Sequence, residues 1–422
     1  MDRRKMIALS GMGVVGSVLP EHPAMAAAAT PKGINVRDYG AKGDGVSIDT
    51  AAFRNAIRAA TNVTPVRSVF VPQGRYVIDD DNIFGDLEAP YKIGLVVQGE
   101  GREISVLILR TGGQSRWFYN NGNTSRLMFT TFADLRFEAD NPNLGGGFHI
   151  HSTGHEQSFS FFRCRFHNLQ TVLLMTGTVG NDSHRFFNCH ITEITNKVVH
   201  WENPQAVNID FFGTNIELIY GDMFYVGKGG GGDLRVYGGS LIMVNKPGDT
   251  TPHYLLSVEP SNFVGSGNAT FQFDGIRTEM RSTQSCLVRA EDGGGFGDVF
   301  VFFNNCNLFT TQGEAREGVR IGISRRVNFM QCTLPHEFNY TIAASAAVAN
   351  DFPLTGWIDF RDCRVPPNLR DKVKFATPYG RVRAQDCHEY ADKKLPPKPL
   401  VSPDFDYKGA ETGKQNERNS LR

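Results

Sequence analysis

The chain has 422 residues, and its 44 lysines and arginines are balanced by 44 aspartates and glutamates, so the formal net charge is zero. This balance excludes a protein that holds nucleic acid or an anionic membrane through a global positive field. Hydrophobic residues make up 40% of the chain and charged residues 21%, which excludes a disordered chain and provides for a large core.

The N-terminal segment has the pattern of an export signal. The pair Arg3–Arg4 precedes a weakly apolar run of small residues, Met6–Leu19, and Ala24–Ala26 offers a small-x-small cleavage site. The paired arginines resemble a twin-arginine signal, with an ordinary secretory signal as the alternative. We therefore predict an export signal over residues 1–28, a periplasmic or extracellular location, and no membrane span in the chain beyond it.

A short amphipathic helix is predicted to begin after Asp49, which is a plausible N-cap. Its apolar face repeats at helical spacing through Ala52, Phe53, Ala56, Ile57 and Ala60. Two strand pairs interrupted by turns follow, over residues 68–78 and 95–101.

A repeat of about 25 residues occupies most of the remaining chain. If Cys164, Cys189, Thr214 and Gly239 are each taken as position zero, positions −5, −3, −2 and +2 are apolar in nearly every copy. The pattern returns with wider spacing around Ile276, Cys306, Cys332, Cys363 and Cys387, and a first copy centres on Leu135. Each copy indicates two short strands with a bend between them, and its one apolar edge is buried only if copies stack. The sequence therefore predicts an all-β fold, a parallel β-helix (solenoid), with the short helix over its N-terminal end.

Position zero is predicted to point into the narrow interior of the coil. The seven cysteines lie largely at this position and no C-x-x-C occurs, so we predict reduced thiols packed in the core. A single β-helix domain is predicted over residues 29–390, followed by an extended polar tail over 391–422. The long interval between Gly239 and Gly275 predicts an inserted loop near Tyr254 that could wall a groove.

The segment before the repeat resembles a known family. Residues 36–45 read V-x-D-Y-G-A-K-G-D-G, and they are followed by D-T-A-A-F, V-P-x-G-x-Y and Q-G-E-G. These motifs look like the opening module of the pectate-lyase superfamily, whose pectin-lyase-like members include glycan-cleaving enzymes and phage tailspikes. The resemblance implies a right-handed parallel β-helix in which Asp38, Lys42, Asp44 and Asp49 are structural. The catalytic motifs of polygalacturonase-like hydrolases and of calcium pectate lyases do not occur in this sequence.

Candidate site residues are therefore sought on the outward columns of the repeat. Glu217 and Glu279 share position +3 two coils apart, which predicts a separation of roughly 9–10 Å, near the ~6.5–9.5 Å that an inverting glycosidase requires. Asp210 is the third catalytic candidate, and the flanking Arg185 and Arg235 are expected to lower its pKa. We predict substrate binding by a further set of outward residues: Arg235, Arg277, His190, Asn215 and Tyr220.

We predict an exported polysaccharide-degrading enzyme, a glycoside hydrolase or a polysaccharide lyase acting on an exopolysaccharide or a pectin-like glycan. In a lyase, Arg277 or Tyr220 would remove a proton beside a uronate carboxylate that Arg235 neutralises. A non-catalytic glycan-binding or adhesin-like β-helix protein is the alternative. No nucleic-acid partner and no cofactor is predicted, with Ca²⁺ as an alternative if the enzyme is a lyase; a homo-oligomer stays open. His149, His151 and His155 are interpreted as polar strand residues rather than a metal site, and residues 228–232 as a flexible glycine loop.

Overall fold

The structure is a computed structural model that describes residues 33–408 with internal gaps. The gaps are 64, 81–82, 85–91, 111–118, 122–126, 144–145, 153–157, 179–182, 205–207, 228–230, 260–268, 292–298, 312, 323–324, 344–355, 368, 378–379 and 390–404. The predicted export signal lies outside the described residues, so its bounds stay a prediction.

Strands dominate the described chain. In chain order they are β1 Ile34–Asn35, β2 Asp44–Ile48, β3 Val69–Val71, β4 Gly74–Ile78, β5 Lys92–Ile93, β6 Val96–Gly99, β7 Ser105–Leu109, β8 Tyr119–Asn121, β9 Leu127–Met128, β10 Thr130–Ala133, β11 Arg136–Ala139, β12 Phe148–Ser152, β13 Ser158–Phe162, β14 Arg165–Gly177, β15 Ser183–Phe187, β16 His190–Trp201, β17 Asn208–Phe212 and β18 Asn215–Ile219. They continue with β19 Phe224–Val226, β20 Asp233–Tyr237, β21 Ser240–Met243, β22 His253–Val258, β23 Ala269–Asp274, β24 Arg277–Met280, β25 Ser285–Ala290, β26 Val299–Asn304, β27 Asn307–Thr310, β28 Arg316–Ile321, β29 Arg325–Met330, β30 Phe338–Ile342, β31 Gly356–Arg361, β32 Arg364–Val365, β33 Val373–Phe375, β34 Gly380–Gln385, β35 His388–Glu389 and β36 Phe405–Lys408. One α-helix, α1 Thr50–Thr61, and two 3-10 helices, Val36–Tyr39 and Leu369–Lys372, complete the described elements.

The strands form a right-handed parallel β-solenoid, as predicted. Sheet A has 14 strands in the order β1-β3-β6-β10-β13-β15-β17-β20-β23-β26-β29-β31-β34-β36, and sheet B has 18 strands. Small two-stranded pairs, β5 with β9 and β32 with β35, complete the set. All described pairings are parallel except that of β36 with β34, so each coil adds one strand to the same sheet edge.

A single left-handed residue turns the chain from sheet A to sheet B in successive coils. This residue is position −1 of the repeat, and its φ lies between 50° and 66° at Asp134, Arg163, Asn188, Gly213, Gly238, Gly275, Asn305, Gln331, Asp362 and Asp386. Aspartate, asparagine and glycine are the residues that tolerate this region best, and they occupy most of these positions.

Position zero points into the core, as predicted. Cys164 and Cys189 lie on neighbouring coils and are almost fully buried, and Thr214 and Ile276 are buried in the same column. All seven cysteines are buried and free of disulfide bonds, in agreement with the predicted free thiols.

Position −2 departs from the expectation of an inward apolar edge. Phe162, Phe187, Phe212 and Tyr237 are half-buried and stack on one another along the outside, with ring centroids 4.6, 4.9 and 5.2 Å apart. The left-handed residue at position −1 explains this difference. In the strand before it, the side chains at positions −5 and −3 point inward, and those at positions −4 and −2 therefore point outward. The inward stack is instead the −3 column, where Phe186 lies 4.5 Å from Phe211 between ring centroids.

The helix α1 covers the N-terminal end by packing on β1 and β3, as predicted. Its apolar face, Ala52, Phe53, Ala56, Ile57 and Ala60, is buried. The expected N-cap is wrong in its detail, because Asp49 makes no side-chain capping bond. Its buried carboxylate instead accepts the backbone N–H groups of Lys42 and Gly43, at 2.7 and 3.1 Å, and so holds the opening turn.

Four residues of the predicted tail form a strand. Phe405–Lys408 pairs antiparallel with β34 at the C-terminal end of sheet A, whereas we expected a tail without structure. The rest of residues 391–422 lies outside the described residues. No helix among the described residues has the length and apolarity needed to cross a bilayer.

Candidate functional site

Asp210 lies on the outer side of sheet A between two arginines. Its Oδ2 is 3.8 Å from Arg185 Nε and its Oδ1 is 3.7 Å from Arg235 Nη1. The expected fall in its pKa is wrong: burial raises the pKa of Asp210, and this effect exceeds the opposing effects of Arg235 and Arg185. The carboxyl is only 6% exposed, so removal of water costs the charged form more than two arginines at almost 4 Å restore.

The two predicted glutamates lie on sheet B, each with a basic neighbour. Glu217 Oε2 is 3.5 Å from His190 Nε2. Glu279 accepts a hydrogen bond from Arg281 Nε at 2.9 Å, and its other oxygen is 3.9 Å from Arg277 Nη2.

The column that should join the glutamates is interrupted. Thr192 pairs with Glu217 and Ile242 pairs with Glu279, but the register between β18 and β21 shifts between Ile216 and Ile219, so Glu217 has no registered partner on β21. The two glutamates are carried by strands two coils apart, β18 and β24. Their spacing of two coils is about 9.6 Å at ~4.8 Å per coil. Asp210 lies on β17 of sheet A, whereas Glu217 and Glu279 lie on β18 and β24 of sheet B, so the three carboxyls are carried by two different sheets. Their catalytic role stays a prediction.

Two other predicted binding residues lie apart from each other. The Oδ1 of Asn215 accepts the backbone N–H of Ser240 at 3.1 Å, which ties neighbouring coils together. Tyr220 instead lines a cavity of about 330 Å³ on the outside of the solenoid.

This cavity is a concave feature of the described surface. It is bounded by segments of four consecutive coils and lined by Thr195, Asn196, Lys197, Tyr220, Gly221, Asp222, Lys246, Asp249, Thr251, Pro252, His253, Tyr254, Ser257, Glu259 and Arg289. Residues 246–254 form one wall, where the long interval of the repeat predicted an inserted loop. We call this feature the Lys197–Asp222 groove.

Asp222 is a largely buried carboxyl in this groove. Its Oδ1 accepts the backbone N–H of Tyr254 at 2.7 Å and lies 3.9 Å from His253 Nδ1. Burial raises the pKa of Asp222, against the opposing effects of the Tyr254 N–H, His253 and Lys197. A carboxyl in this state keeps its proton to a higher pH than an exposed aspartate and can donate it.

Lys197 faces the same groove and is shifted in the opposite direction. Its ammonium donates to Asn196 Oδ1 at 3.1 Å and lies 4.5 Å from the centroid of the Tyr225 ring. Burial lowers the pKa of Lys197, although Asp222, Glu202 and Glu259 act to raise it. The groove therefore holds an acid that is harder to ionise beside an amine that is easier to deprotonate.

Further pairs fix the walls of the groove. His253 Nε2 is 2.8 Å from Asp249 Oδ2, and this bond, with those to Thr251, lowers the pKa of Asp249 to about 2. The hydroxyl of Tyr254 donates to Glu317 at 3.0 Å, and Arg289 lies over the Tyr254 ring at 5.9 Å. These contacts hold the aromatic and cationic side chains in place before any ligand arrives.

The groove continues as a column of outward residues along the solenoid axis. His200, Tyr225, Ser257, Arg289 and Arg320 are neighbours on five successive coils. Four coil steps span about 19 Å at ~4.8 Å each. A track of this length, with aromatic rings at one end and arginines at the other, suits an extended polymer better than a small molecule.

The sequence contains a signal for this site outside the columns of the predicted site residues. Lys197 and Asp222 are 25 residues apart, and each lies at position +8 of its copy. The predicted site residues precede or lie next to a second left-handed residue of the coil, at position +4 (Asn168, Glu193 and Leu218), whereas Lys197 and Asp222 follow it. The environment that shifts the two pKa values depends on the loop at 246–254, which the repeat does not specify.

No metal site emerges from the described residues, where no group of three or more His, Cys, Asp or Glu side chains converges. His149 Nε2 and His151 Nδ1 each lie 2.9 Å from the same hydroxyl, Thr176 Oγ1, as suits polar residues on a strand. His155 lies outside the described residues.

Comparison with known proteins agrees with the architecture. The family model described as rhamnogalacturonase A/epimerase, pectate lyase-like, matches residues 33–168, which is less than half of the chain. This match and the solenoid confirm the resemblance to pectate-lyase-like β-helix proteins. A search of curated proteins found no match.

Solved structures align with this chain at low sequence identity. The catalytic domain of Agl-KA is 14% identical, over 87% of this chain and 67% of that one, with a TM-score of 0.49. The A-module of the mannuronan C-5 epimerase AlgE4 from Azotobacter vinelandii is 14% identical, over 84% and 95%, with a TM-score of 0.45. The catalytic unit of a thermostable GH87 α-1,3-glucanase from Streptomyces thermodiastaticus is 14% identical, over 89% and 73%, with a TM-score of 0.39. These likenesses carry no argument about reaction or substrate.

Proposed function

We propose that this protein is a polysaccharide-cleaving enzyme and that the Lys197–Asp222 groove is its active site. The observation that carries the proposal is the pair of opposite pKa shifts in one cavity, raised at Asp222 and lowered at Lys197. Groups shifted in this way by burial are typical of acid–base catalysis. The name of the family model that matches residues 33–168 describes enzymes acting on a glycan, and this supports the substrate class.

Asp222 is the proposed general acid. Hydrolysis and β-elimination both break the bond to a glycosidic oxygen, and both require a proton on that oxygen as it leaves. A protonated Asp222, held by the backbone N–H of Tyr254, is placed in the groove to supply it. This role is common to the two reactions that the sequence left open.

The remaining groups separate the two reactions. In hydrolysis, Glu259 is the carboxylate in the groove that could activate water. In elimination, a neutral Lys197 would remove the proton beside a uronate carboxylate, and Arg289 would neutralise that carboxylate. Export to the periplasm or the medium, and an exopolysaccharide or pectin-like substrate, belong to the same proposal and rest on the N-terminal pattern and the family resemblance.

The products of a substrate screen test the proposal. The purified chain is incubated with polygalacturonate, rhamnogalacturonan, alginate, α-1,3-glucan and bacterial exopolysaccharides, with ultraviolet absorbance and reducing ends followed in parallel. New absorbance from an unsaturated uronate identifies a lyase, and reducing ends alone identify a hydrolase. Retention of a glycan without cleavage would favour the glycan-binding or adhesin-like alternative.

Matched substitutions then locate the active site. Asp222→Asn should lower turnover at least ~100-fold, the usual contribution of a general acid, with little loss of stability. Glu217→Gln and Glu279→Gln are the controls, because their coil spacing makes them the second candidate pair. If either glutamate variant loses ~100-fold while Asp222→Asn retains turnover within a few-fold of wild type, the active site is at the glutamate column and the groove is eliminated.

A further inference from the structure

One histidine lies between two aspartates at the wall of the Lys197–Asp222 groove. His253 is the first residue of β22, and its backbone N–H donates to the carbonyl oxygen of Gln284 at 2.9 Å. Its Nε2 lies 2.8 Å from Asp249 Oδ2, and its Nδ1 lies 3.9 Å from Asp222 Oδ1. The side chain of His253 is 18% exposed. It therefore connects a carboxylate of the segment 246–254 with the carboxyl inside the groove.

Asp249 is held as an ionised hydrogen-bond acceptor. Its Oδ1 accepts the backbone N–H of Thr251 at 2.9 Å, and its Oδ2 faces the imidazole. The bonds from His253 and Thr251 lower the pKa of Asp249 to about 2. Because an ionised carboxylate can only accept, the Nε2 atom of His253 carries a proton in both the neutral and the charged imidazole. Nδ1 is then the ring nitrogen that gains or loses a proton.

This second nitrogen is the one that faces Asp222. A proton on Nδ1 makes the ring an imidazolium, whose positive N–H then lies opposite Asp222 Oδ1. At 3.9 Å the two groups form an ion pair rather than a hydrogen bond, and catalytic contacts of this kind shorten when substrate binds. Burial raises the pKa of Asp222, and His253 is one of the groups that oppose this rise. The imidazolium thus favours the charged form of Asp222 over the neutral form.

We propose that His253 is a positioning residue that stabilises the Asp222 carboxylate as it forms, and that Asp249 holds the imidazole in the orientation this requires. The inference rests on the proposed function, in which Asp222 is the general acid. The proton of Asp222 bonds to the glycosidic oxygen as the C–O bond breaks, and the negative charge stays on Asp222. His253 keeps its own proton throughout, and water reloads Asp222 after the product leaves. The attraction grows during the reaction, so it lowers the barrier.

Other charged groups face the same space, and they act more weakly on Asp222. The remaining charged residues that line the groove are Lys197, Lys246, Glu259 and Arg289. Lys197 and Arg289 favour the Asp222 carboxylate, as His253 does. Within the part of the chain that the structure describes, only the imidazole of His253 lies within ion-pair distance of that carboxyl.

The first test needs no substrate. Carbon-13 NMR of protein labelled at the aspartate side chains follows the titration of Asp222, whose signal is assigned by its loss in Asp222→Asn. We expect His253→Gln and Asp249→Asn each to raise the pKa of Asp222 further, because each removes support for the charged form. His388→Gln is the control, because His388 is exposed at the C-terminal end of the solenoid. Nitrogen-15 NMR should find the proton of the neutral His253 ring on Nε2.

The second test is the pH profile of kcat/KM on the polysaccharide that is cleaved in the substrate screen. At low pH, where Asp222 is protonated, His253→Gln should lower kcat/KM about tenfold, the value of one charge-assisted hydrogen bond. The basic limb of the profile, which reports the ionisation of Asp222 in the free enzyme, should move to higher pH. A purely structural contribution of His253 would lower kcat/KM without moving this limb.

The two tests separate this inference from the proposed function. An unchanged pKa of Asp222 in His253→Gln would overturn the inference, as would a lowered kcat/KM with an unmoved basic limb, or a neutral His253 ring with its proton on Nδ1. If no polysaccharide is cleaved, the proposed function fails and the role of His253 in catalysis fails with it. The NMR titration would then still show whether Asp249 and His253 control the charge of Asp222.

Discussion

His184 allows the stability of the solenoid to be perturbed at one titratable group in the core. It occupies position −5, where the neighbouring coils place Phe159 and Ile209. The imidazole is fully buried and stacks on the Phe159 ring with centroids 5.9 Å apart. Neither ring nitrogen has a hydrogen-bond partner among the described residues. Burial alone lowers the pKa of His184 to about 3.

The sign of the pH dependence follows from this shift. Between pH 3 and the ordinary value of 6.5, the unfolded chain binds a proton at His184 and the folded chain does not, so stability falls as the pH falls. One pKa unit is worth about 1.4 kcal/mol, so the full loss is about 5 kcal/mol and the loss already reached at pH 5 is about 2 kcal/mol. Above pH 7 this contribution disappears.

We therefore expect His184→Ile to change the pH dependence of stability and not only its level. Urea unfolding followed by tryptophan fluorescence at pH 7.5, 6 and 5 should give a variant that gains about 2 kcal/mol relative to wild type between pH 7.5 and pH 5. The control is His388→Gln, because His388 is exposed at the C-terminal end of the solenoid. Free energies of unfolding for His184→Ile and wild type that run parallel across this range would refute the reasoning.

Two further predictions concern the repeat. Gly238 and Gly239 both have positive φ, but a Cβ on Gly239 would lie 2.2 Å from the carbonyl oxygen of Thr214, whereas none of the neighbouring atoms lies within 4 Å of a Cβ on Gly238. In urea unfolding, Gly238→Ala should lower the free energy of unfolding by about 1–2 kcal/mol, and Gly239→Ala should lower it clearly more. Equal losses would contradict the close packing of these coils. The seven thiols should resist alkylation in the native protein, because all seven are buried. Mass spectrometry after denaturation without reductant should find seven alkylated cysteines, and a mass two units lower that reductant restores would show a disulfide.

Much of the architecture could be read from the sequence, because it depends on local alternation. The 25-residue spacing of Cys164, Cys189, Thr214 and Gly239 specified which side chains point inward, since a strand places every second residue on one face. The stacking of coils followed from the apolar edge that each copy leaves uncovered. The same reasoning placed α1 at the N-terminal end. It failed at position −2, because one left-handed residue at −1 changes the phase of the alternation between the two sheets.

The candidate site was decided by tertiary structure. Lys197 and Asp222 share a repeat position, yet nothing in their own neighbourhood along the chain indicates that burial lowers one pKa and raises the other. That burial comes from the loop at 246–254 and from side chains of adjacent coils. Asp210 gives the same lesson, because its two arginines were visible in the sequence, whereas the desolvation that outweighs them was not. Alternation is a property of the local chain, but desolvation depends on every atom that excludes water from the group.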